Sequence, residues 1–449
     1  MKNLYTFSQG ELVPVGSTEL DDLSNELIRS EFDGKATKMA DAANRLIRNY
    51  GFGWDPLSVP GYLTFKPYAA FMVEAVKLRF WRQVQAFCRE NDIPLQRIAG
   101  GDLYSLDSAL MKNHVRLAEE VGMYGEGLLS VSGNQILRFS GCSNKLSLLK
   151  QQSIDDAVFP FGIFEISNSY RFEKEEQIEY LSRNRKFHLP ELHIVNANLC
   201  DGLNMLLKGH DDIDRSMKEH ELPYVMLFST TRKFVRENKW FFESLCDGCA
   251  HVPVIDIADG DTCENGIVFD VEYKARMQNG SLLEIATLQI DEGNTGFAYG
   301  IQARGKPVVT IHAVFFASSV ERTIYTCLDR AAAQNGETLP AWLAPVHCRL
   351  LPENVEDFGR AEDLLKKLLA RYRVELDDRA IPFRDKLRDA LVLRISHIIR
   401  VGEGDALSRY DERIGGFRPL DQEPLLSAAP DESFCLGQFS PVRLSRRIL

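Results

Sequence analysis

The stretch from residue 163 to residue 197 constrains the fold most, because it has the pattern of two long β-strands around a charged loop. Apolar and polar side chains alternate from Phe164 to Phe172 and again from Arg185 to Ala197, and the segment between them is almost wholly polar. A period of two is typical of strands that bury one face of a sheet. The stretch therefore predicts a hairpin that carries charged side chains into a cavity lined by the sheet.

Four charged residues mark the ends of the two predicted strands. They are Arg171, Glu173, Arg183 and Arg185. A planar guanidinium group suits bidentate binding of a phosphate. The same charges would also fit ion pairs on a solvated hairpin, and on the hairpin alone this second interpretation is the more common one.

The order of residues along the hairpin resembles motif 2 of the threonyl-tRNA synthetases, and the archaeal members in particular. The matching residues are Arg171, Glu173, Arg183, Arg185, Phe187, Pro190, Glu191 and His193. The resemblance extends over roughly residues 61–405. It implies an α+β fold of the class II synthetases, with an antiparallel sheet flanked by helices and a small C-terminal α/β domain.

The predicted organisation has three parts: a helical extension over residues 1–52, a catalytic domain over 53–338, and an anticodon-binding-like domain with a tail over 339–449. Apolar positions at helical spacing predict two short helices between Thr18 and Tyr50. About fifty residues cannot hold the editing domain that archaeal relatives carry there. We therefore expect no editing site in this chain.

The segment after Pro340 alternates predicted strands and helices, which favours a small α/β domain with right-handed crossovers. Its 18 basic and 18 acidic residues balance, so the net charge of −11 arises entirely in the preceding part. The C-terminal part is therefore the better candidate for contact with a polyanion.

Three residues far apart in the sequence match the zinc ligands of the family. Cys142 follows a Leu-Arg-x-x-x-Cys pattern that we expect on a strand, His193 ends the hairpin, and His312 lies in the apolar run from Pro307 to Phe316, another predicted strand. One thiolate and two imidazoles would leave the fourth position of tetrahedral zinc open. Without the resemblance, a lone Cys or His on a strand is more often a core residue.

A second group has the local spacing of a zinc site but resembles no motif of the family. It consists of Cys246, Cys249, His251 and the nearby Cys263. We interpret these residues as a loop with free thiols. All nine cysteines fit reduced thiols better than a disulfide framework.

The resemblance also implies roles in ATP binding. Arg171 would hold the α-phosphate, and Glu173 and Arg183 would lie beside the nucleotide. Ser319 to Arg322 resembles motif 3, in which Arg322 would meet the γ-phosphate, and Mg²⁺ would bridge phosphate oxygens. Further substrate contacts would come from two residues, Glu191 beside the amino group and Gln289 in a Thr-x-Gln pattern.

Three positions depart from the family pattern. Asp270 stands where relatives carry Lys, and Ser318 where they carry Gly. The loop has Glu175-Glu176 where archaeal members have Ser-Gly, so it places negative charge beside the expected path of nucleic acid. The acidic loop and Asp270 weaken the expectation that tRNA is the acceptor, whereas Ser318 bears on the tightness of ATP binding.

The implied function is an ATP-dependent ligase that activates L-threonine and transfers it to tRNA. Two other classes stay open: an adenylate-forming paralogue that charges a carrier protein or small molecule, and a catalytically silent regulator. A helix predicted from Pro67 to about Glu90 resembles motif 1, which implies a homodimer. No apolar run is long enough to cross a membrane and Met1 to Gly10 lacks a signal pattern, so we expect a cytoplasmic protein.

Overall fold

The computed structural model describes residues 3–34, 42–108, 111–112, 115, 129–131, 133–151, 154, 158–260, 263, 267–292, 301–303, 305–315, 318–333, 338–402, 407–420, 436, 438 and 442–447. Two compact units are formed. Unit 1 contains Met1–Ala40, Pro60–Tyr62 and Arg79–Thr323, and unit 2 contains Asp41–Val59, Leu63–Leu78 and Ile324–Leu449. The domain boundaries expected at residues 53 and 339 stay a prediction.

The helices within the described residues are α1 (Asp22–Glu31), α2 (Ala43–Asn49), α3 (Pro67–Glu90), α4 (Cys142–Lys150), α5 (Leu199–Glu219), α6 (Arg232–Glu237), α7 (Lys239–Cys246), α8 (Val320–Ala332), α9 (Phe358–Leu368) and α10 (Phe383–Val392). The strands of unit 1 are β1 (Leu4–Ser8), β2 (Glu11–Pro14), β5 (Leu95–Arg97), β6 (Leu103–Ser105), β7 (Gln135–Leu137), β8 (Phe161–Tyr170), β9 (Lys186–Asn196), β10 (Tyr224–Thr231), β11 (Val254–Ala258), β12 (Phe269–Arg276), β13 (Leu282–Asp291), β14 (Gln302–Ala303), β15 (Lys306–Pro307) and β16 (Val309–Val314). Those of unit 2 are β3 (Phe52–Trp54), β4 (Leu63–Phe65), β17 (Cys348–Pro352), β18 (Val374–Leu376), β19 (His397–Val401), β20 (Leu407–Asp411) and β21 (Gly416–Pro419).

Unit 1 is built on a ten-stranded sheet with the order β2-β1-β11-β10-β12-β13-β16-β9-β8-β5. Neighbouring strands run antiparallel, except for the parallel pairs β10–β11 and β5–β8. The predicted antiparallel sheet with flanking helices is therefore confirmed. The predicted hairpin is also present as β8 and β9, which pair from Phe161 opposite Val195 to Tyr170 opposite Lys186.

Helix α5 packs across β13 and β16 and covers one face of the sheet. It begins at Asn198, whose side chain accepts a hydrogen bond from the backbone N–H of Asp201. Its approach to the sheet is close, since a Cβ at Gly202 would lie 2.8 Å from Cγ1 of Val309. The absence of a side chain at this position therefore sets the distance between helix and sheet.

Two local expectations for unit 1 were wrong. Cys142 does not lie on a strand, because β7 ends at Leu137 and Cys142 is the first residue of α4. The N-terminal strands β1 and β2 were not expected, and they extend the sheet beyond β11.

Unit 2 contains a five-stranded sheet with the order β18-β17-β19-β20-β21. Its first three strands are parallel, and α9 and α10 connect them, as the alternating pattern predicts. Their apolar residues form one core with α9. The described residues contain no helix that is long and apolar enough to cross a membrane.

A buried ion-pair network ties together four side chains of unit 2. Glu375 is fully buried and accepts hydrogen bonds from Tyr68 Oη at 2.6 Å, from Arg349 Nη2 at 2.6 Å and from Arg447. Two guanidinium groups thus share one buried carboxylate, that of Arg349 buried and that of Arg447 partly exposed. Removing the carboxylate would leave both cations uncompensated.

We expect Glu375→Gln to lower the free energy of unfolding of unit 2 by about 3–5 kcal/mol, because it breaks a buried ion pair on one side only. Chemical denaturation followed by circular dichroism would measure the change. The matched control is Asp363→Asn, whose pair with Lys366 is exposed and is expected to be worth less than about 1 kcal/mol. Equal losses in the two variants would contradict the importance of the buried network.

Candidate active site

The predicted site residues come together in one cavity of about 210 Å³ on the sheet of unit 1. Its walls come from β9, β13, β16 and the loop between β8 and β9. Eight of the nine predicted residues line it: Cys142, Arg171, Glu173, Arg183, Glu191, Gln289, His312 and Arg322. The ninth, His193, is buried directly beside His312.

Strand register places both predicted histidine ligands on one face of the sheet. His312 on β16 is directly opposite His193 on β9 on one side and Gln289 on β13 on the other. The two imidazole rings lie 4.7 Å apart between centroids. Directly opposite residues project to the same face, so the pairing alone brings these side chains together.

Cys142 completes the group from a different direction, at the first turn of α4. Its Sγ and one ring nitrogen each of His193 and His312 all lie within 4.8 Å of one another. Among the described residues, this is the single set of three or more His, Cys, Asp or Glu side chains with such spacing. The cysteine-rich group around Cys246 and Cys249 does not form such a set within the described residues. His251 Nδ1 contacts Asp21 instead, and the Cys263 thiol donates to the carbonyl oxygen of Val268.

Two ring nitrogens in this group have no hydrogen-bond partner among the described residues, namely His193 Nδ1 and His312 Nε2. Burial lowers the pKa of His193 well below its usual range, and the nearby positive charge of Lys145 lowers it further. The imidazole is therefore neutral near pH 7, which is the form that binds a metal. Buried nitrogens without partners, beside a thiol, fit a zinc ion.

Hydrogen bonds fix the tautomer of His312. The carboxyl group of Asp270 accepts from the side chains of Thr287 and Gln289, so the amide nitrogen of Gln289 is directed toward Asp270. The amide oxygen of Gln289 then faces His312 Nδ1 at 2.9 Å and accepts a hydrogen bond from its N–H. As a result, the lone pair of His312 lies on Nε2 and is directed into the metal group.

A buried carboxylate borders the same group. Glu191 is 1% exposed and forms an ion pair of 2.7 Å with Lys145 Nζ, which is also buried. Burial raises the pKa of Glu191, but the positive charge of Lys145 outweighs this effect and holds it well below the usual range. Burial and the Glu191 carboxylate raise the pKa of the Cys142 thiol, so a bound cation would be needed to favour its thiolate.

The other end of the cavity presents two guanidinium groups. Arg171 stacks over the ring of Phe187 at 5.3 Å, and its buried Nε has no hydrogen-bond partner among the described residues. Arg322 donates from Nε to the carbonyl oxygen of Ser182 and from Nη1 to the carbonyl oxygen of Glu284, both at 3.1 Å. Its Nη1 also lies 3.3 Å from the Glu284 carboxylate. This end is suited to bind an anion.

Ser318, the departure before motif 3, has a positive φ of +50°, a conformation that favours glycine. Its hydroxyl group donates to the carbonyl oxygen of Glu284 at 3.1 Å and accepts from Arg322 Nη1 at 3.1 Å. These two bonds offset part of the cost of the strained backbone. Ser318 therefore holds Arg322 rather than blocking the cavity.

The loop between β8 and β9 is fixed at its base. Arg185 donates from Nε and Nη2 to the carbonyl oxygen of Glu173, at 2.9 and 2.7 Å. The Glu173 carboxylate accepts from Arg183 Nε at 2.7 Å. Glu175 and Glu176 follow in an exposed 3-10 turn, so their charges remain in contact with solvent.

Acidic side chains surround the centre of the cavity. Burial, together with the carboxylates of Glu272 and Glu284, raises the pKa of Asp270 well above its usual range. The raised pKa makes the negative charge of Asp270 less favourable than that of an exposed aspartate. Glu272 itself pairs with Lys274 Nζ at 2.7 Å.

Sequence reasoning missed two residues of the site. Lys145 lies one helical turn after Cys142 on α4. The two side chains share a face of this helix, which the sequence did not predict at this position. Glu284 lies at the start of β13 and contacts Arg322 through both its backbone and its side chain. Neither residue belongs to a motif that could have indicated it.

Curated relatives with similar sequences are threonine–tRNA ligases. The enzyme of Pyrobaculum aerophilum is 29% identical over 425 residues, which cover 92% of this chain and 67% of the relative. The enzyme of Pyrobaculum arsenaticum is 30% identical over 426 residues, which cover 91% of this chain and 67% of the relative. The enzyme of Thermofilum pendens is 30% identical over 376 residues, which cover 80% of this chain and 59% of the relative. The chain thus spans about three fifths to two thirds of the length of these relatives.

Solved structures share the fold at lower sequence identity. The RNA-binding domain of threonyl-tRNA synthetase from Cryptosporidium parvum aligns with a TM-score of 0.69 at 18% identity, over 90% of this chain and all of that one. Prolyl-tRNA synthetase from Giardia lamblia, in complex with prolyl-adenylate, aligns with a TM-score of 0.63 at 15% identity. The alignment covers 88% of this chain and 78% of that one.

No protein-family model matches the chain. The relatives nevertheless include one that is 30% identical and of which this chain covers 67%. The chain therefore belongs to the threonine–tRNA ligase family and has the fold of the class II aminoacyl-tRNA synthetases.

Proposed function

We propose that the protein is an ATP-dependent ligase that activates L-threonine and transfers it to tRNA. The observation that supports this most directly is the group of Cys142, His193 and His312 at one end of a cavity whose other end holds Arg171 and Arg322. One end has soft donors for a metal, and the other has cations for phosphates. A substrate with an amine, a hydroxyl and a carboxylate would place its amine and hydroxyl at the metal end. Its carboxylate would then extend toward the arginine end.

In the proposed reaction, a carboxylate oxygen of the amino acid attacks the α-phosphorus of ATP. A new oxygen–phosphorus bond forms, the bond from the α-phosphorus to the bridging oxygen breaks, and pyrophosphate leaves. Arg171 holds the α-phosphate and Arg322 the γ-phosphate, while Mg²⁺ enters with ATP. Because the groups are fixed before the substrate arrives, positioning and charge stabilisation account for most of the rate enhancement.

Cys142, His193 and His312 are the residues that would hold zinc. When bound there, zinc would bind the amine and β-hydroxyl of threonine, which discriminates against valine because valine lacks the hydroxyl. Glu191 and Gln289 border this end and position the amino acid. Glu173 and Arg183 lie on the loop that would cover the nucleotide.

A second candidate is an adenylate-forming enzyme that charges a carrier protein or small molecule. The exposed Glu175 and Glu176 favour it, because they would face the backbone of an approaching tRNA. Pairing through the α3 helix as a homodimer, and a cytoplasmic location, stay predictions under either candidate. A silent regulator would perform neither step of the chemistry.

We expect His312→Ala to lose both bound zinc and threonine-dependent pyrophosphate exchange, because it removes one of three ligands. Elemental analysis of protein purified without chelator measures the bound zinc, and incorporation of labelled pyrophosphate into ATP measures the exchange. His251→Ala, in the competing cysteine-rich segment, is the control and should keep one zinc per chain. Zinc that is lost from the control and kept in His312→Ala would show that the metal binds elsewhere.

Arg171→Ala and Arg322→Ala should each slow pyrophosphate exchange by about a hundredfold or more, as other preorganised charge contacts do. Thermal unfolding should change little for Arg171, because its guanidinium faces the cavity rather than a protein acceptor. Arg215→Ala, an exposed arginine on α5, serves as the control. Exchange at the wild-type rate in either cavity variant would reject the assigned phosphate contacts.

The double variant Glu175→Ser with Glu176→Gly should increase the rate of threonine transfer to tRNA and leave pyrophosphate exchange unchanged. Each exposed charge removed would relieve repulsion of about 1 kcal/mol or less from a nearby phosphate. Filter-bound aminoacylation assays at two salt concentrations would measure this. Robust exchange with no charging of any tRNA, in wild type and variant alike, would favour the carrier-protein or small-molecule candidate.

A further inference from the structure

Strand β9 loses its neighbour β16 before it reaches the hairpin loop. The two strands pair no further than Ala313 opposite Leu192, and within the described residues no strand pairs with β9 on that side closer to the loop. A backbone N–H on such an edge needs another acceptor. The carboxylate of Glu321, in the first turn of α8, supplies it, because the N–H of His188 donates to Glu321 Oε2 at 2.9 Å.

The imidazole of His188 adds a second bond to the same carboxylate. Its Nδ1 lies 2.7 Å from Glu321 Oε1, so the backbone and the side chain of one residue engage both carboxylate oxygens. A carboxylate oxygen only accepts, which assigns the donated proton to Nδ1. The side chain of Glu321 is 1% exposed and that of His188 is 14% exposed, so water competes little for these bonds. We call the two bonds the His188–Glu321 clamp.

The clamp lies behind the end of the cavity that is suited to bind an anion. Phe187, directly before His188, contacts the guanidinium of Arg171 at 5.3 Å, and Arg322 directly follows Glu321. Phe187, Arg171 and Arg322 line the cavity, whereas its described walls include neither member of the clamp. The clamp therefore connects the strand that supports one guanidinium to the helix that carries the other.

The direction of Arg322 depends on where α8 begins. In the absence of a ligand, its guanidinium is held by the carbonyl oxygen and the carboxylate of Glu284. A phosphate that binds the guanidinium competes with this carboxylate, so the bonds to Glu284 cannot aim Arg322 in the bound state. The clamp does not involve the guanidinium, and it fixes the first turn of α8 against β9 whether or not a phosphate is bound.

We propose that His188 is a positioning residue that acts through Glu321 to aim Arg322 at the γ-phosphate of ATP. The inference rests on the proposed function for the role of Arg322 and deepens it. Arg171, the proposed contact to the α-phosphate, follows β8 and stacks on Phe187, so it does not need α8. The clamp thus supports binding of a triphosphate and leaves binding of a monophosphate unaffected.

Two nucleotides separate this role from a purely structural one. The probes are the β,γ-imido analogue of ATP with Mg²⁺, which carries three phosphates, and AMP, which carries the α-phosphate alone. By titration calorimetry, His188→Ala should bind the triphosphate about tenfold more weakly than wild type, as expected for the loss of one charge-assisted hydrogen bond, and AMP equally well. His188→Asn keeps an N–H donor near the position of Nδ1 and should restore most of the affinity for the triphosphate.

The matched control is His220→Ala. His220 Nδ1 lies 2.8 Å from the carbonyl oxygen of Ser216 at the end of α5, and His220 is not part of the described cavity wall, so both nucleotides should bind as in wild type. If His188→Ala folds poorly, Glu321→Gln tests the clamp from its other side, because it keeps the side-chain length and removes one acceptor oxygen. The same selective loss is expected for that variant.

Equal loss of affinity for both nucleotides in the clamp variants, or wild-type affinity for both, would overturn the proposal. Failure of His188→Asn to bind the triphosphate better than His188→Ala would overturn it as well. A selective loss for the triphosphate, in a protein that exchanges no pyrophosphate with any amino acid, would instead contradict the proposed function and leave the clamp intact.

Discussion

The register between β9, β16 and β13 is the constraint on which the rest of the site depends. It sets Gln289, His312 and His193 side by side across three strands. A slip by one residue would direct each of these side chains to the opposite face of the sheet, where α5 packs. The long hairpin of β8 and β9 resists such a slip, because its ten paired positions all bury one face.

Buried charge is the second constraint. On adjacent strands, Glu165 and Glu191 lie directly opposite each other, and Arg138 and Lys145 neutralise them one by one. Such pairs add little net stability, because removing the four charges from water costs about as much as their attraction returns. Their benefit is a fixed geometry, since no member can move without leaving its partner uncompensated.

The sequence predicted the fold well where a periodic pattern or a motif covered a whole element. The hairpin, the helix from Pro67 to Glu90 and the alternation in unit 2 are all present within a few residues. The strands β1 and β2 were missed because β1 joins the sheet through β11, which lies more than two hundred residues away, and β2 joins it only through β1.

The site itself could be predicted only through resemblance. Cys142, His193 and His312 are spread over 170 residues, and no spacing rule connects them. What resemblance could not supply were the residues that orient this set, because Lys145 and Glu284 acquire meaning only from distances. Motif residues can thus be found in a sequence, whereas the groups that hold them must be found in the fold.

The two ends of the cavity follow one electrostatic rule. At each end a carboxylate lies against the group that is expected to bind a ligand, namely Glu191 at the metal group and Glu284 at Arg322. In the absence of ligands, Lys145 holds Glu191 and Glu284 holds Arg322, so that little reorganisation is needed when a ligand arrives. The proposed ligands differ in sign, however. A metal cation would draw Glu191 closer, whereas a phosphate would compete with Glu284 for the guanidinium group. Binding of a cation at the first end would therefore leave the ion pair of Glu191 with Lys145 in place, whereas binding of a phosphate at the second end would replace the ion pair of Arg322 with Glu284.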